Sequence, residues 1–82
     1  MKRKTKTIFD PRYKTLVEEL VRIRHKRCLS QAALAKLWGV SNTYIARIEL
    51  RERRLDVIEM IDLLRALGLY RSEILKVIEK LI

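Results

Sequence analysis

Residues 30–49 read SQAALAKLWGVSNTYIARIE, and their apolar spacing describes two short helices joined by a tight corner. Ser30 is a helix cap, and the helix formers Ala32, Ala33, Leu34, Ala35 and Leu37 follow it, with Leu34, Leu37 and Trp38 on one face. Gly39 stops this helix, because glycine accepts the left-handed backbone that a sharp turn requires, and Val40 is placed to plug the corner from inside. Ser41 then caps a second helix. A rotation of about 100° per residue puts Ile45, Ile48 and Glu49 on one side of it and Thr43, Ala46, Arg47 and Leu50 on the other. The outward side is small, polar and cationic.

A helix, a short turn and a second helix with a hydrogen-bonding outer face is the layout of a helix-turn-helix, whose second helix enters a DNA groove. The composition agrees with an anionic partner. The 82 residues form one domain with a modest core, and 19 Lys and Arg against 10 Asp and Glu leave a net charge of +9. That charge is uneven: residues 1–27 carry +7, residues 28–54 carry +3 and residues 55–82 carry −1. The basic part contains the helix pair, and the nearly neutral end suits a protein partner. With one Cys and one His, neither a disulfide framework nor a metal site is expected, and Cys28 reads as a reduced, packed or half-buried thiol. No apolar run approaches the roughly 18 residues of a membrane span, and MKRKTKT leads into no apolar signal core, so a cytoplasmic protein with no membrane partner is expected.

On the N-terminal side, residues 1–9 are expected to form a flexible basic arm, with Lys2, Arg3, Lys4 and Lys6 either tracking DNA or serving as a solubilising end. Residues 10–82 then make a single domain. Asp10 and Pro11 start the first helix, Phe9 is expected to pack on that end, and Leu16, Leu20 and Ile23 with Tyr13, Val17 and Val21 form its apolar stripe. Arg24 lies at the edge of this stripe and needs a carboxylate, for which Glu49 on the inner side of the second motif helix is the candidate. Beyond Glu49, Arg51, Arg53 and Arg54 sit in a charged loop within reach of the sugar-phosphate backbone. Asp56 and Glu59 form a capping box for a fourth helix, whose face is expected to comprise Val57, Ile58, Ile61, Leu64 and Leu67 before Gly68 ends it. Ser72 is expected to cap a fifth helix over residues 72–82. Its six aliphatic residues, Ile74, Leu75, Val77, Ile78, Leu81 and Ile82, exceed what one side of a terminal helix buries, so they form the candidate dimer interface.

From Leu16 to about Leu69 the chain resembles the Xre, Cro and lambda-repressor-like helix-turn-helix family. The leading-helix spacing stands as Leu16, Leu20, Ile23 and Arg24, and the L-S-Q entry as Leu29-Ser30-Gln31. The L-A-x-x-x-G-V-S centre runs from Leu34 to Ser41, and the Y-I-x-x-I-E recognition helix from Tyr44 to Glu49. The sequence E-R-R at Glu52 to Arg54 and the A-L-G close at Ala66 to Gly68 complete it. The resemblance implies an all-α, compact five-helix lambda-repressor-like DNA-binding domain. It also implies that Gln31 and Ser41 hold phosphates at helix N-termini, while Asn42, Thr43 and Arg47 face base edges. Ala46 lies on the same outer face, and Tyr44 joins Arg51, Arg53 and Arg54 among the expected phosphate contacts. Cys28 and Arg51 depart from the family pattern, since each stands where a glycine is usual.

These readings give a sequence-specific regulator that binds double-stranded DNA as a homodimer on a palindromic operator, with no cofactor, no metal and no small-molecule effector expected. The alternative is an antitoxin of the same family, whose fifth helix would bind a toxin partner. An enzyme is not expected, because no nucleophile and base pair, metal cluster or phosphate-binding glycine loop is present.

Overall fold

The first helix opens at Asp10, whose carboxylate accepts a hydrogen bond from the Arg12 N–H at 2.8 Å, and Pro11 fills the first helical position, where no N–H is needed. In the computed structural model, which describes residues 7–82, five helices follow: α1 Pro11–Lys26, α2 Gln31–Trp38, α3 Asn42–Glu49, α4 Val57–Ala66 and α5 Arg71–Glu79. No strand occurs among the described residues. Lys2, Arg3, Lys4 and Lys6 lie outside them. Within the stretch expected to be an arm, Thr7–Phe9 form one 3-10 turn that Asp10 closes by donating its N–H to the Thr7 carbonyl at 3.0 Å. Ile8 packs against the core there, whereas Phe9, expected on the helix end, is exposed.

The core is built from one stripe of each helix. Tyr13, Leu16, Val17, Leu20 and Ile23 of α1 meet Leu34 and Ala35 of α2, Ile45 and Ile48 of α3, Leu63 and Leu64 of α4, and Ile74 and Val77 of α5, with Leu55, Leu67 and Leu69 filling from the loops. Two expected faces are differently placed. In α2 the inner arc is taken by Leu34, Ala35 and half-buried Trp38, which leaves Leu37 exposed. In α4 the apolar residues span more of the helix circumference than one contact can cover, so Leu63 and Leu64 turn inward. Val57 and Ile58 remain 67% and 66% exposed, and Ile61 36%.

The start of α5 also differs from expectation. Tyr70 takes the N-cap position, and Glu73 accepts its N–H at 3.3 Å, so Ser72 lies inside the first turn. Two residues of the candidate dimer interface, Ile74 and Val77, are buried in the chain's own core, and Ile78 and Leu81 pack partly against it. Leu75 and Ile82 stay exposed. A terminal helix on so small a core gives part of its apolar surface to completing that core, and in α5 that part is Ile74 and Val77.

Four of the helix ends close in one pattern. The N–H after the closing residue reaches five residues back, as in Leu29 to Arg24, Val40 to Ala35, Glu52 to Arg47 and Leu69 to Leu64, at 2.9–3.1 Å. This closure needs a left-handed residue at its corner. Gly39 and Gly68 supply it with φ of 82° and 90°, while Cys28 and Arg51 adopt φ of 57° and 59° despite their side chains. The two non-glycine corners therefore carry backbone strain that glycine would not. Cys28→Gly is expected to stabilise the fold by about 0.5–1 kcal/mol, the relief of that strain less the entropy glycine gains when unfolded, as read by the denaturant midpoint.

Candidate nucleic-acid interface

Helix α3 presents the outer face that its sequence describes. Ile45 and Ile48 are buried, Asn42, Thr43 and Arg47 are exposed, and Ala46 is half-buried between them. Exposed Leu50 continues the same side past the helix end. Serine caps hold both motif helices: the Ser30 hydroxyl accepts from the Ala33 N–H at 3.0 Å, and the Ser41 hydroxyl from the Tyr44 N–H at 3.1 Å. Each hydroxyl keeps its own proton for donation outward, and the first N–H groups of the helix beside it have no intrahelical acceptor. Such a helix end favours an anion.

The orientation of α3 is set by a buried ion pair. The Arg24 guanidinium grips Glu49 with two bonds, Nε to Oε2 at 2.7 Å and Nη2 to Oε1 at 2.9 Å, and donates from Nη1 to the Leu29 carbonyl at 2.8 Å. Gln31 adds its side-chain amide to Glu49 Oε1 at 2.9 Å. One carboxylate thus joins α1, the first residue of α2 and the last of α3. Gln31, expected on a phosphate, spends one amide proton inward and retains the second, together with its backbone N–H at the helix start.

A second carboxylate holds the other flank. Glu59 Oε1 accepts the Asp56 N–H at 3.0 Å, returning the capping box in which Asp56 accepts the Glu59 N–H at 2.7 Å. Its Oε2 accepts the Tyr44 hydroxyl and, at 3.0 Å, the Arg53 guanidinium. Arg53 also lies over the Tyr44 ring, 4.3 Å from its centroid, and Trp38 meets that ring edge-on at 5.3 Å. Tyr44 and Arg53, both expected on phosphates, are therefore engaged within the protein. Arg51 and Arg54 are exposed and make no ion pair among the described residues. The loop that carries them is held from below by Tyr13, whose hydroxyl donates to the Arg53 carbonyl at 2.9 Å and accepts the Leu55 N–H at 3.1 Å. Burial raises the pKa of the Tyr13 hydroxyl.

Sequence reading missed the parts played by Tyr13, Trp38 and Glu59 in this flank. Tyr13 reads as one more apolar residue of α1, and its partner Leu55 lies 42 residues away. The Glu59 signal is the capping box alone, which carries no mark of Tyr44.

The helix-turn-helix family model matches residues 20–74, more than half of the chain and all of α2 to α4. The chain belongs to the Xre/Cro/lambda-repressor-like helix-turn-helix family. No curated protein matches it. The helix-turn-helix family consists of DNA-binding transcription regulators and is not an enzyme family, which makes double-stranded DNA the general partner of this chain. Among the described residues no helix is long and apolar enough to cross a membrane.

Two measurements test the supports of the helix-turn-helix. Glu49→Ala leaves Arg24 charged and buried without its partner and is expected to cost about 3–5 kcal/mol in denaturant unfolding. Glu59 titrates at about 2 instead of 4.5, chiefly through the Tyr44 hydrogen bond and then through the Asp56 N–H and Arg53. A carboxylate lowered on folding stabilises the fold above its unfolded pKa and loses that contribution as the pH falls through the folded value. The melting temperature of Glu59→Gln should lie below that of the parent at neutral pH, and the gap should narrow between about pH 4.5 and pH 2.

Proposed function

We propose that this protein is a sequence-specific transcription regulator that occupies a palindromic operator as a homodimer. The observation that carries the reading is the outer face of α3, where exposed Asn42, Thr43 and Arg47 stand on a helix fixed at both flanks. Arg47 can bind guanine O6 and N7 with two bonds, Asn42 can do the same for adenine, and the Thr43 methyl suits thymine. Ser41, the N–H groups at the start of α2 and the exposed Arg51 and Arg54 supply backbone contacts, which set register without reading sequence. Lys2, Arg3, Lys4 and Lys6 add cations for the same purpose. Two copies would set their α3 helices in successive major grooves, about 34 Å apart.

The antitoxin reading rested on a free apolar face along α5. Ile74 and Val77 are buried in the core and Ile78 and Leu81 pack partly against it, which reduces that face, so the observations favour the operator-binding reading.

Selection of bound sequences from a random duplex pool at about physiological salt tests the proposal, because non-specific phosphate attraction is weakened there. A twofold symmetric motif is the expected product, and enrichment of no motif would overturn it. Against the selected duplex, Arg47→Ala should relax preference at one base position in each half-site, a loss of about 1–3 kcal/mol of discrimination. Arg54→Ala should instead weaken binding to all duplexes alike and lower the salt slope by about one unit for each copy bound.

A further inference from the structure

The α4 helix carries an apolar surface that the chain does not use. Val57, Ile58 and Ile61 lie on one arc of it and are 67%, 66% and 36% exposed. Asp62 and Arg65 continue that arc at helical spacing, both exposed, and neither makes an ion pair among the described residues. The Arg65 guanidinium lies over the exposed Tyr70 ring at 5.1 Å.

We propose that this α4 stripe is the surface on which a second copy of the chain docks, the two copies meeting through the same face about a twofold axis. The inference rests on the homodimer of the functional reading and moves its interface from α5 to α4.

Charge identifies the occupant. A chain of net charge +9 repels its own copy over most of its surface, but residues 55–82 carry −1, and the exposed arc of α4 balances Asp62 against Arg65, with Glu59 already paired to Arg53 on the other flank. Two copies approach with least repulsion there. The arc also bears an acid and a base side by side, so each copy offers a carboxylate to the other's guanidinium, as a twofold interface requires. A partner of one charge sign would meet a like charge at Asp62 or at Arg65. The aliphatic residues supply the water-excluding centre and the charged pair its rim. Three partly exposed aliphatic side chains provide well under the roughly 800 Å² per partner of a standard interface, so association in free solution is weak and depends on concentration.

Sedimentation equilibrium of the full chain without DNA, from about 1 μM to about 1 mM, tests this apart from any reading of DNA function. The parent protein should pass from monomer toward dimer within that range. Ile58→Glu should move the midpoint at least tenfold higher in concentration, while Leu75→Glu on the exposed side of α5 should leave it in place. Both variants should keep the parent's helical circular dichroism, since both sites are exposed. Dimerisation by Ile58→Glu at the parent's midpoint overturns the proposal, as does its loss in Leu75→Glu alone. A parent chain that stays monomeric to 1 mM also overturns it, and would leave the stripe to a different protein. If the dimer forms as expected and no operator is selected, the interface stands and the DNA reading fails.

Discussion

Arg24 is the one charged residue buried in the described core, and the arrangement of the motif depends on how its charge is met. A guanidinium removed from water is costly unless its donors are satisfied, and here Nε, Nη1 and Nη2 all find oxygen acceptors. Those acceptors belong to the last residue of α3 and to the turn before α2. Satisfying one side chain of α1 therefore fixes both motif helices against it. Among the described residues no buried side-chain nitrogen or oxygen lacks a hydrogen-bond partner, so the protein's own groups close the polar interior at this point. A hydrophobic core alone would hold α2 and α3 together but would leave their angle less sharply defined, since apolar contact has no direction.

Glu59 performs the matching task on the far flank. Its two oxygens collect the start of α4, the Tyr44 ring of α3 and the Arg53 guanidinium of the intervening loop. Tyr13 fastens the same loop to α1 through backbone groups. The consequence for function is a division among the cations after α3. Arg53 is tied into the protein and shapes the loop, while Arg51 and Arg54 project from it. A loop held at three points loses less freedom when its exposed arginines meet phosphate than a free one would.

The apolar residues of α4 and α5 illustrate where sequence patterning stops being decisive. Both helices carry more aliphatic residues than one face can bury, and periodicity alone ranks their arcs equally. The position of each helix on the core breaks the tie. In α5, Ile74 and Val77 turn inward, so the surplus is small, whereas in α4 Leu63 and Leu64 turn inward and Val57 and Ile58 are left outside. The same effect exposes Leu37, because Ala35 and Trp38 are nearer the middle of the buried arc of α2.

The features that residues impose on their near neighbours can be read directly along the chain. Asp10, Ser30, Ser41 and the Asp56–Glu59 box start helices through bonds spanning two or three residues, and Gly39 and Gly68 close them through a local backbone angle. The outward placing of Thr43 and Arg47 follows from helical rotation in the same way. The partner of Arg24 was legible too, because an arginine at the edge of an apolar face demands a carboxylate and Glu49 lies on the inner side of the second motif helix. Tertiary structure decided the rest. It brought Tyr44 to Glu59 and Tyr13 to Leu55, and chose which arc of α4 faces the core. These outcomes depend on groups 15 to 42 positions apart meeting in space, and neither propensity nor periodicity carries information over that separation until the helices have packed.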